Sequence, residues 1–336
     1  MKTAILSVSR QGYALARRLK AHWPQAELYT SGPWRESEDH GVEPDLKAVT
    51  ARLFETHQAL CFIMAAGIAV RMVAPHLTDK TRDPAVLVLD DQGRWVIPLL
   101  SGHLGGANRL AQEAAGFLGA QAVVTTATEG RGLTAVDLLA QERGWVLTDL
   151  ERTKRLTAAL LEGERLPVVS WKPLKAALPP EYAETESLEE NRPCLMVTPY
   201  VHIPKVRELW LIPRCITLGI GCRRGTSYET LLAMVEEALD ALGLDRRALS
   251  RIASIDLKKD EPALLRLSEA YQVPLKVYSA AELAEVAEHF DGSAFVKTIT
   301  GVEAVSEPAG YLASRGRCLL PKQAQSGITL SIWEDC

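Results

Sequence analysis

An α/β fold, built as two doubly wound α/β/α units joined by a smaller proline-rich middle module, is what this 336-residue sequence predicts. Three observations carry that expectation. Short apolar runs alternate with amphipathic stretches through residues 1–149, the pattern of a mainly parallel sheet with helices on its faces. The same alternation restarts at Cys215. Between the two, Pro173, Pro179, Pro180, Pro193, Pro199, Pro204 and Pro213 mark a bridging region of extended segments and linker. The expected units are therefore 1–149, 150–213 and 214–336. Their number fits a prior of roughly 150 residues per domain.

In the first unit, Ala4–Val8 reads as a strand, Gly12–His22 as a helix and Ala26–Tyr29 as a strand. Gly32–Pro44 is a polar loop marked by Pro and Gly. Leu46, Val49, Leu53 and Phe54 share one face of a helix over Leu46–Thr56. Ala59–Met64 is unbroken apolar sequence, as expected of a strand covered on both faces. Ala66–Ala74 begins a helix that Pro75 stops. Ala85–Asp90 and Trp95–Leu100 flank Asp91-Gln92-Gly93-Arg94, a hairpin or tight reversal. A helix over Arg109–Leu118, a strand over Gln121–Thr125 and a helix over Thr134–Gln141 follow. The middle module holds a helix at Arg152–Leu161 and a strand at Pro167–Trp171. In the last unit, strand Ile216–Ile220 leads to helix Tyr228–Leu242, closed by Gly243. Strands Ile252–Ile255 and Leu275–Val277 then alternate with helices Glu261–Tyr271 and Ala280–Ala287.

Composition narrows the functions. The hydrophobic fraction of 47% and the charged fraction of 24% are those of a globular protein. A formal net charge of −4 offers no global field to draw in nucleic acid. The longest apolar run, Ala59–Val70, is about half of what a bilayer requires. The N-terminal residues read as a first strand and not as a signal peptide, so the expected compartment is the cytoplasm. Cys61, Cys194, Cys215, Cys222, Cys318 and Cys336 show no C-x-x-C or zinc-finger spacing. They read as reduced thiols of a cytosolic protein, with Cys222 the candidate if one is catalytic.

Four loops could carry chemistry. Ser101-Gly102-His103-Leu104-Gly105-Gly106-Ala107-Asn108 follows a strand and opens a helix, which places it at the carboxyl end of the sheet, where ligands bind in open α/β folds. Its glycines let the backbone approach a ligand, and its N–H groups form an anion site at a helix start. His103 can act as acid or base near neutral pH. A tight turn with a capping His is the structural alternative. Gly219–Ser227 has the same placement, spaced G-x-G-x-x-x-G, without the lysine of a phosphate-binding P-loop or the Rossmann fingerprint. It offers Arg223 and Arg224, which pair with carboxylates or phosphates, beside Gly221 and Thr226. Gly67 and Arg71 lie at a third strand-to-helix junction, with His76, Asp79, Lys80 and Asp83 nearby. Thr125-Thr126-Ala127-Thr128-Glu129-Gly130, followed by Asp137, suits a binding rim or an ordinary cap. Spacing alone thus yields sheet-end sites rich in N–H and Arg donors, suited to a multiply anionic ligand.

These blocks, in this order, resemble the CbiG family of anaerobic cobalamin biosynthesis, the cobalt-precorrin-5A hydrolases. The likeness runs from Phe62-Ile63-Met64-Ala65-Ala66-Gly67-Ile68 and Val70-Arg71 through Asp79-Lys80 and Asp83-Pro84-Ala85-Val86. Leu99–Asn108 is its most specific block, extended by Thr125-Thr126-Ala127-Thr128 and Ala135-Val136-Asp137. Gly219–Thr226, Ala253–Lys258, Asp260-Glu261-Pro262, Pro274-Leu275, Gly301-Val302, Leu320-Pro321-Lys322 and Gly327-Ile328-Thr329 continue it. Residues 150–213 match least. The last unit also resembles the stand-alone CobE-type proteins of the aerobic route.

The resemblance implies a hydrolase acting on a carbon–carbon bond. It would open the δ-lactone of a ring-contracted cobalt macrocycle and release acetaldehyde, giving cobalt-precorrin-5B. His103 or Asp137 is then the base. The N–H groups of Gly105, Gly106 and Ala107 bind oxyanion or carboxylate, and Arg71, Arg223 and Arg224 hold the substrate's carboxylates. Ser101, Gly102, Asn108, Thr126, Gly67, Gly221 and Thr226 complete the expected binding residues. Cobalt arrives with the substrate, so no tightly bound cofactor and no protein metal site is implied. A homodimer and transient contact with the neighbouring methyltransferases are compatible with this. Two rivals stand beside it: a non-catalytic tetrapyrrole carrier, and an α/β enzyme that binds nucleotides or sugar phosphates.

Overall fold

The computed structural model describes residues 1–79, 82–103, 105–186, 192–290 and 302–335. Lys80, Leu104, Gly301 and Cys336, which enter the readings above, lie outside the described residues. Two compact units divide the chain, Met1–Leu138 and Leu139–Cys336.

The first unit runs β1 (Thr3–Ser7), α1 (Arg10–His22), β2 (Glu27–Thr30), β3 (His40–Gly41), α2 (Leu46–Thr56) and β4 (Ala59–Ile63). It continues with α3 (Ala66–Val73), β5 (Ala85–Leu89), β6 (Trp95–Leu100), α4 (Ala107–Leu118), β7 (Gln121–Ala122) and the short α5 (Ala127–Gly130). α6 (Val136–Glu142) begins at its end. The seven strands form one sheet in the order β3-β2-β1-β4-β5-β6-β7. Every neighbouring pair is parallel except β5 with β6. β4 shows why its sequence is apolar throughout: Ala59, Cys61 and Ile63 pack under α1 and α4, while Leu60 and Phe62 pack under α2 and α3. Period-2 alternation on a doubly covered strand buries both sets.

The hairpin between β5 and β6 reverses the position of the first glycine loop. Val86 pairs with Leu100 and Leu89 with Val96, so β6 ends where β5 begins. Ser101 accordingly donates its hydroxyl to the Asp83 carbonyl at 2.9 Å, just before β5. Ser101–Asn108 therefore lies at the edge where β1, β4 and β5 start. The expectation of the sheet's carboxyl end fails because one antiparallel strand turns the local direction round.

Polar groups fasten the loop after β2 to α1. Asp39, its side chain fully buried, accepts the Tyr13 hydroxyl at 2.7 Å and the Lys20 ammonium at 3.3 Å, with Arg17 at 3.6 Å. Burial alone would raise the Asp39 pKa, but these donors outweigh it and hold the carboxyl below its usual range. The folded pKa is depressed, so this stabilisation is complete above the unfolded value of about 4 and is lost as pH falls through the folded one. Asp39→Asn should flatten the acid limb of the stability curve and weaken the protein at pH 7; an unchanged acid limb in pH-dependent denaturation would remove Asp39 from it.

The second unit contains two sheets. β8 (Trp145–Leu147), α7 (Leu150–Leu161), β9 (Leu166–Ser170), β10 (Tyr182–Glu184), β11 (Cys194–Val197) and β12 (Glu208–Pro213) form a five-stranded sheet ordered β10-β9-β11-β12-β8. The prolines that suggested a linker lie largely between these short strands, which is why the sheet was hidden. Only β8 is antiparallel to its neighbour. It falls within 1–149 yet pairs with β12, so the sheet of the middle region reaches back to Trp145.

The last sheet is built from β13 (Ile216–Cys222), α8 (Tyr228–Ala241), β14 (Leu249–Ile255), α9 (Pro262–Tyr271), β15 (Leu275–Tyr278), α10 (Ala280–Ala284), α11 (Ser306–Ser314), β16 (Arg317–Gln325) and β17 (Ile328–Glu334). Its order is β15-β14-β13-β17-β16, with β17 antiparallel to both neighbours. α8 and α9 cover one face and α10 and α11 the other. Sequence patterning missed α11 and the β16–β17 hairpin. The middle and last sheets are joined where Trp171 donates to Glu334 at 2.7 Å and Lys172 to the Asp335 carbonyl at 2.9 Å.

Candidate active site

The site is assembled where β6 and β7 end. Ser101 takes a left-handed conformation at φ 55°, and Gly106 follows at 79° as the residue before α4. Such backbone costs a non-glycine residue about 1–3 kcal/mol, and clusters at functional sites. Gly105 sits where a Cβ would come within 2.4 Å of the Ser101 Cβ, and Gly102 where one would come within 2.7 Å of the Asn108 amide oxygen. Both glycines are thus demanded by a tightly folded loop. Ala107 donates its N–H to the Ser101 carbonyl, Gly106 to that of His103, and Asn108 to that of Gly102. Two of the three expected anion donors, Gly106 and Ala107, are therefore spent inside the loop.

His103 lies between two partners. Its Nδ1 is 3.4 Å from the Asp137 carboxylate, and its Nε2 is 3.3 Å from the Thr128 hydroxyl. An ionised carboxylate only accepts, so the proton belongs on Nδ1 and the lone pair on Nε2. Both side chains of the pair are largely buried, at 19% and 11% exposure, so their interaction is weakly screened. The sequence reading left His103 and Asp137 as alternative bases; the geometry makes them one unit. Thr128, the hydroxyl on Nε2, was visible only as one letter of the Thr-Thr-Ala-Thr block.

Asn108 is 4% exposed. Its amide nitrogen donates to Glu129 at 2.7 Å and to the Thr126 hydroxyl at 3.1 Å, while that hydroxyl donates to Glu129 at 2.8 Å. Asn108 and Thr126 thus spend these groups within the loop's own support. Gly67 opens α3 after β4, at the edge of the sheet away from Ser101–Asn108, and a Cβ there would touch nothing. Arg71, in the same helix, is exposed. Gly67 is therefore not brought to His103.

The second glycine loop is shorter than its sequence suggested. Gly219 and Gly221 belong to β13. A Cβ on Gly219 would stand 2.0 Å from the Ser306 carbonyl oxygen, and one on Gly221 2.6 Å from the Thr329 hydroxyl. Close packing of α11 and β17 against β13 explains both glycines. In the loop proper, Gly225 donates its N–H to Glu261 at 3.0 Å, Arg223 donates its own to the Gly327 carbonyl, and Thr226 bonds the Arg223 carbonyl. The buried Glu261 fills the place expected for a ligand's anion. Arg223 and Arg224 remain exposed.

Among the described residues, burial disfavours the thiolate of every cysteine. Burial pushes Cys61 and Cys215 up to about 12 and Cys194 to about 11, and raises Cys222 as well. Cys222 is thereby a poor nucleophile. Among the described residues, no three His, Cys, Asp or Glu side chains form a group that could hold a metal ion. Among them, too, no helix is long and apolar enough to cross a membrane.

Family models match the chain in three consecutive pieces: cobalamin synthesis G N-terminal over residues 48–129, the cobalamin biosynthesis central region over 134–213, and cobalamin synthesis G C-terminus over 216–333. A cobalt-precorrin-5A hydrolase of Salmonella typhimurium is 36% identical over 341 residues, spanning 98% of this chain and 96% of that one. The chain belongs to the cobalt-precorrin-5A hydrolase family. A second family member, from Priestia megaterium, is 31% identical over 98% of this chain and 94% of its own. Protein CobE of a Sinorhizobium species is 37% identical over 106 residues, 31% of this chain and 69% of that protein. The N-terminal match to the family covers His103, Asn108, Thr126, Thr128 and Glu129, and the central one begins just before Asp137.

Proposed function

We propose that this chain hydrolyses cobalt-precorrin-5A, opening the δ-lactone of the ring-contracted cobalt macrocycle and releasing acetaldehyde to give cobalt-precorrin-5B. The observation that carries this reading is the end-to-end likeness to proteins of that name, at 36% and 31% identity. The geometry of His103 supports it. With Nδ1 held by Asp137, Nε2 is the basic nitrogen; the water that attacks the lactone carbonyl takes the place of the Thr128 hydroxyl at its lone pair and gives up its proton there. The Gly105 N–H, which meets no acceptor among the described residues, is the one of the three expected donors left for the oxyanion. Opening frees an alcohol and a carboxylate. Loss of the alcohol proton as the adjacent carbon–carbon bond breaks releases the aldehyde, and the bond's electron pair is protonated on the macrocycle. His103, its proton returned, is again available as base.

Arg71, Arg223 and Arg224, all exposed, are guanidinium groups suited to the acetate and propionate side chains of such a substrate. Cobalt belongs to that substrate. The cytoplasm, a homodimer and hand-over between neighbouring methyltransferases are part of the same proposal. Incubating the purified protein with cobalt-precorrin-5A should release one acetaldehyde per macrocycle, with the matching mass loss. Intact binding without mass loss would instead establish a carrier, and stabilisation by nucleotides but not by corrinoids would establish the nucleotide-binding alternative.

A further inference from the structure

We propose that Glu129 is a positioning residue for this hydrolysis, acting through Asn108 on the turn that carries His103. The inference rests on the reading just given. Glu129 receives two donors on one carboxylate oxygen, the Asn108 amide at 2.7 Å and the Thr126 hydroxyl at 2.8 Å. Because a carboxylate accepts only, these bonds decide which end of the Asn108 amide is nitrogen. The NH2 group faces Glu129, and the oxygen is left beside Gly102. There the fit is close: a Cβ on Gly102 would lie 2.7 Å from the amide oxygen and 3.1 Å from its carbon. The Asn108 N–H also donates to the Gly102 carbonyl at 3.1 Å. Asn108 therefore bonds the residue before His103 through its backbone and packs closely against it with its side chain.

Glu129 shares a single turn with Thr128. That turn holds the glycine loop twice, through Asn108 to Gly102 and through Thr128 to the His103 ring. One short segment thus sets the place of the backbone under His103 and the direction of its imidazole. A misplacement of about 1 Å in a catalytic group costs roughly 10²-fold in rate. The Glu129 carboxylate reaches this effect without touching the reacting atoms.

The test uses a polarity exchange in the full-length protein. Asn108→Asp turns the donor into a second carboxylate facing Glu129, whereas Glu129→Gln alone keeps an amide oxygen able to accept both donors. Asn108→Asp should lower kcat about 100-fold with KM nearly unchanged. It should also shift the His103 imidazole resonances in NMR titrations of the free protein. The double variant Glu129→Gln with Asn108→Asp restores one carboxylate and one amide in exchanged positions, and should recover kcat to within roughly tenfold of wild type. Wild-type kcat in Asn108→Asp, unchanged His103 resonances in it, or a double variant no better than Asn108→Asp alone would each overturn the proposal. Failure of the wild type to release acetaldehyde would instead remove the hydrolase reading, and the His103 resonances would still decide the positioning role.

Discussion

Replacing His103 by alanine lowers acetaldehyde release by about 10²–10⁴-fold, the usual contribution of a positioned general base, while the macrocycle still binds. The expectation follows from placement. His103 stands on a loop whose glycines, left-handed Ser101 and internal hydrogen bonds permit little movement. Its ring is oriented at both nitrogens. Asp137→Asn should behave differently, because the ring remains in place but the carboxylate that selects its tautomer is gone. Single-turnover acetaldehyde release, with binding followed by the absorbance of the macrocycle, separates the two steps. Turnover surviving in His103→Ala would transfer the base to another group. Loss of binding in His103→Ala would make the residue a substrate contact.

Gly219→Ala is the change expected to damage the fold most. The added methyl would stand 2.0 Å from the Ser306 carbonyl oxygen and 2.9 Å from the Gly310 nitrogen. Both neighbours are backbone, so neither can rotate away, and α11 must lift from β13 and β17. Overpacking of well-filled cores costs about 1–3 kcal/mol, and occasionally more. The rigidity of both neighbours puts this site at the upper end of that range or beyond. At about 2–4 °C per kcal/mol for a unit of this size, the melting transition should fall by roughly 6–12 °C. Gly116→Ala provides the contrast: it lies within α4, where a Cβ meets nothing, and should gain up to about 1 kcal/mol in helix propensity. Equal melting temperatures for the two variants would refute this account of Gly219.

The same glycine illustrates how the two kinds of evidence differ. Gly219 and Gly221 stand before a helix, and in the sequence alone they read as an anion cradle. Their neighbours Ser306, Gly310 and Thr329 are about 90 to 110 residues away, beyond the reach of spacing arguments. Glu261, which takes the Gly225 N–H, is likewise remote. In Ser101–Asn108 the situation is reversed. The loop's glycines satisfy contacts with Ser101 and Asn108 themselves, so the local sequence already contained the reason for them.

By itself the sequence determined the α/β class, most of the strands and helices through Tyr278 of the first and last sheets, and the reversal at Asp91–Arg94, and it singled out His103 and Asp137 as candidates. These rest on periodicities of 2 and 3.6 residues and on short turns, which are local properties of a chain. Tertiary structure alone decided the rest. It made His103, Asp137 and Thr128 one arrangement, placed Glu129 behind Asn108 and gathered the proline-punctuated middle region into a sheet. It also turned the first glycine loop to the starting edge of β1, β4 and β5. Pairing between strands and hydrogen bonds between distant loops depend on which segments meet, and no periodicity within a segment records its partner.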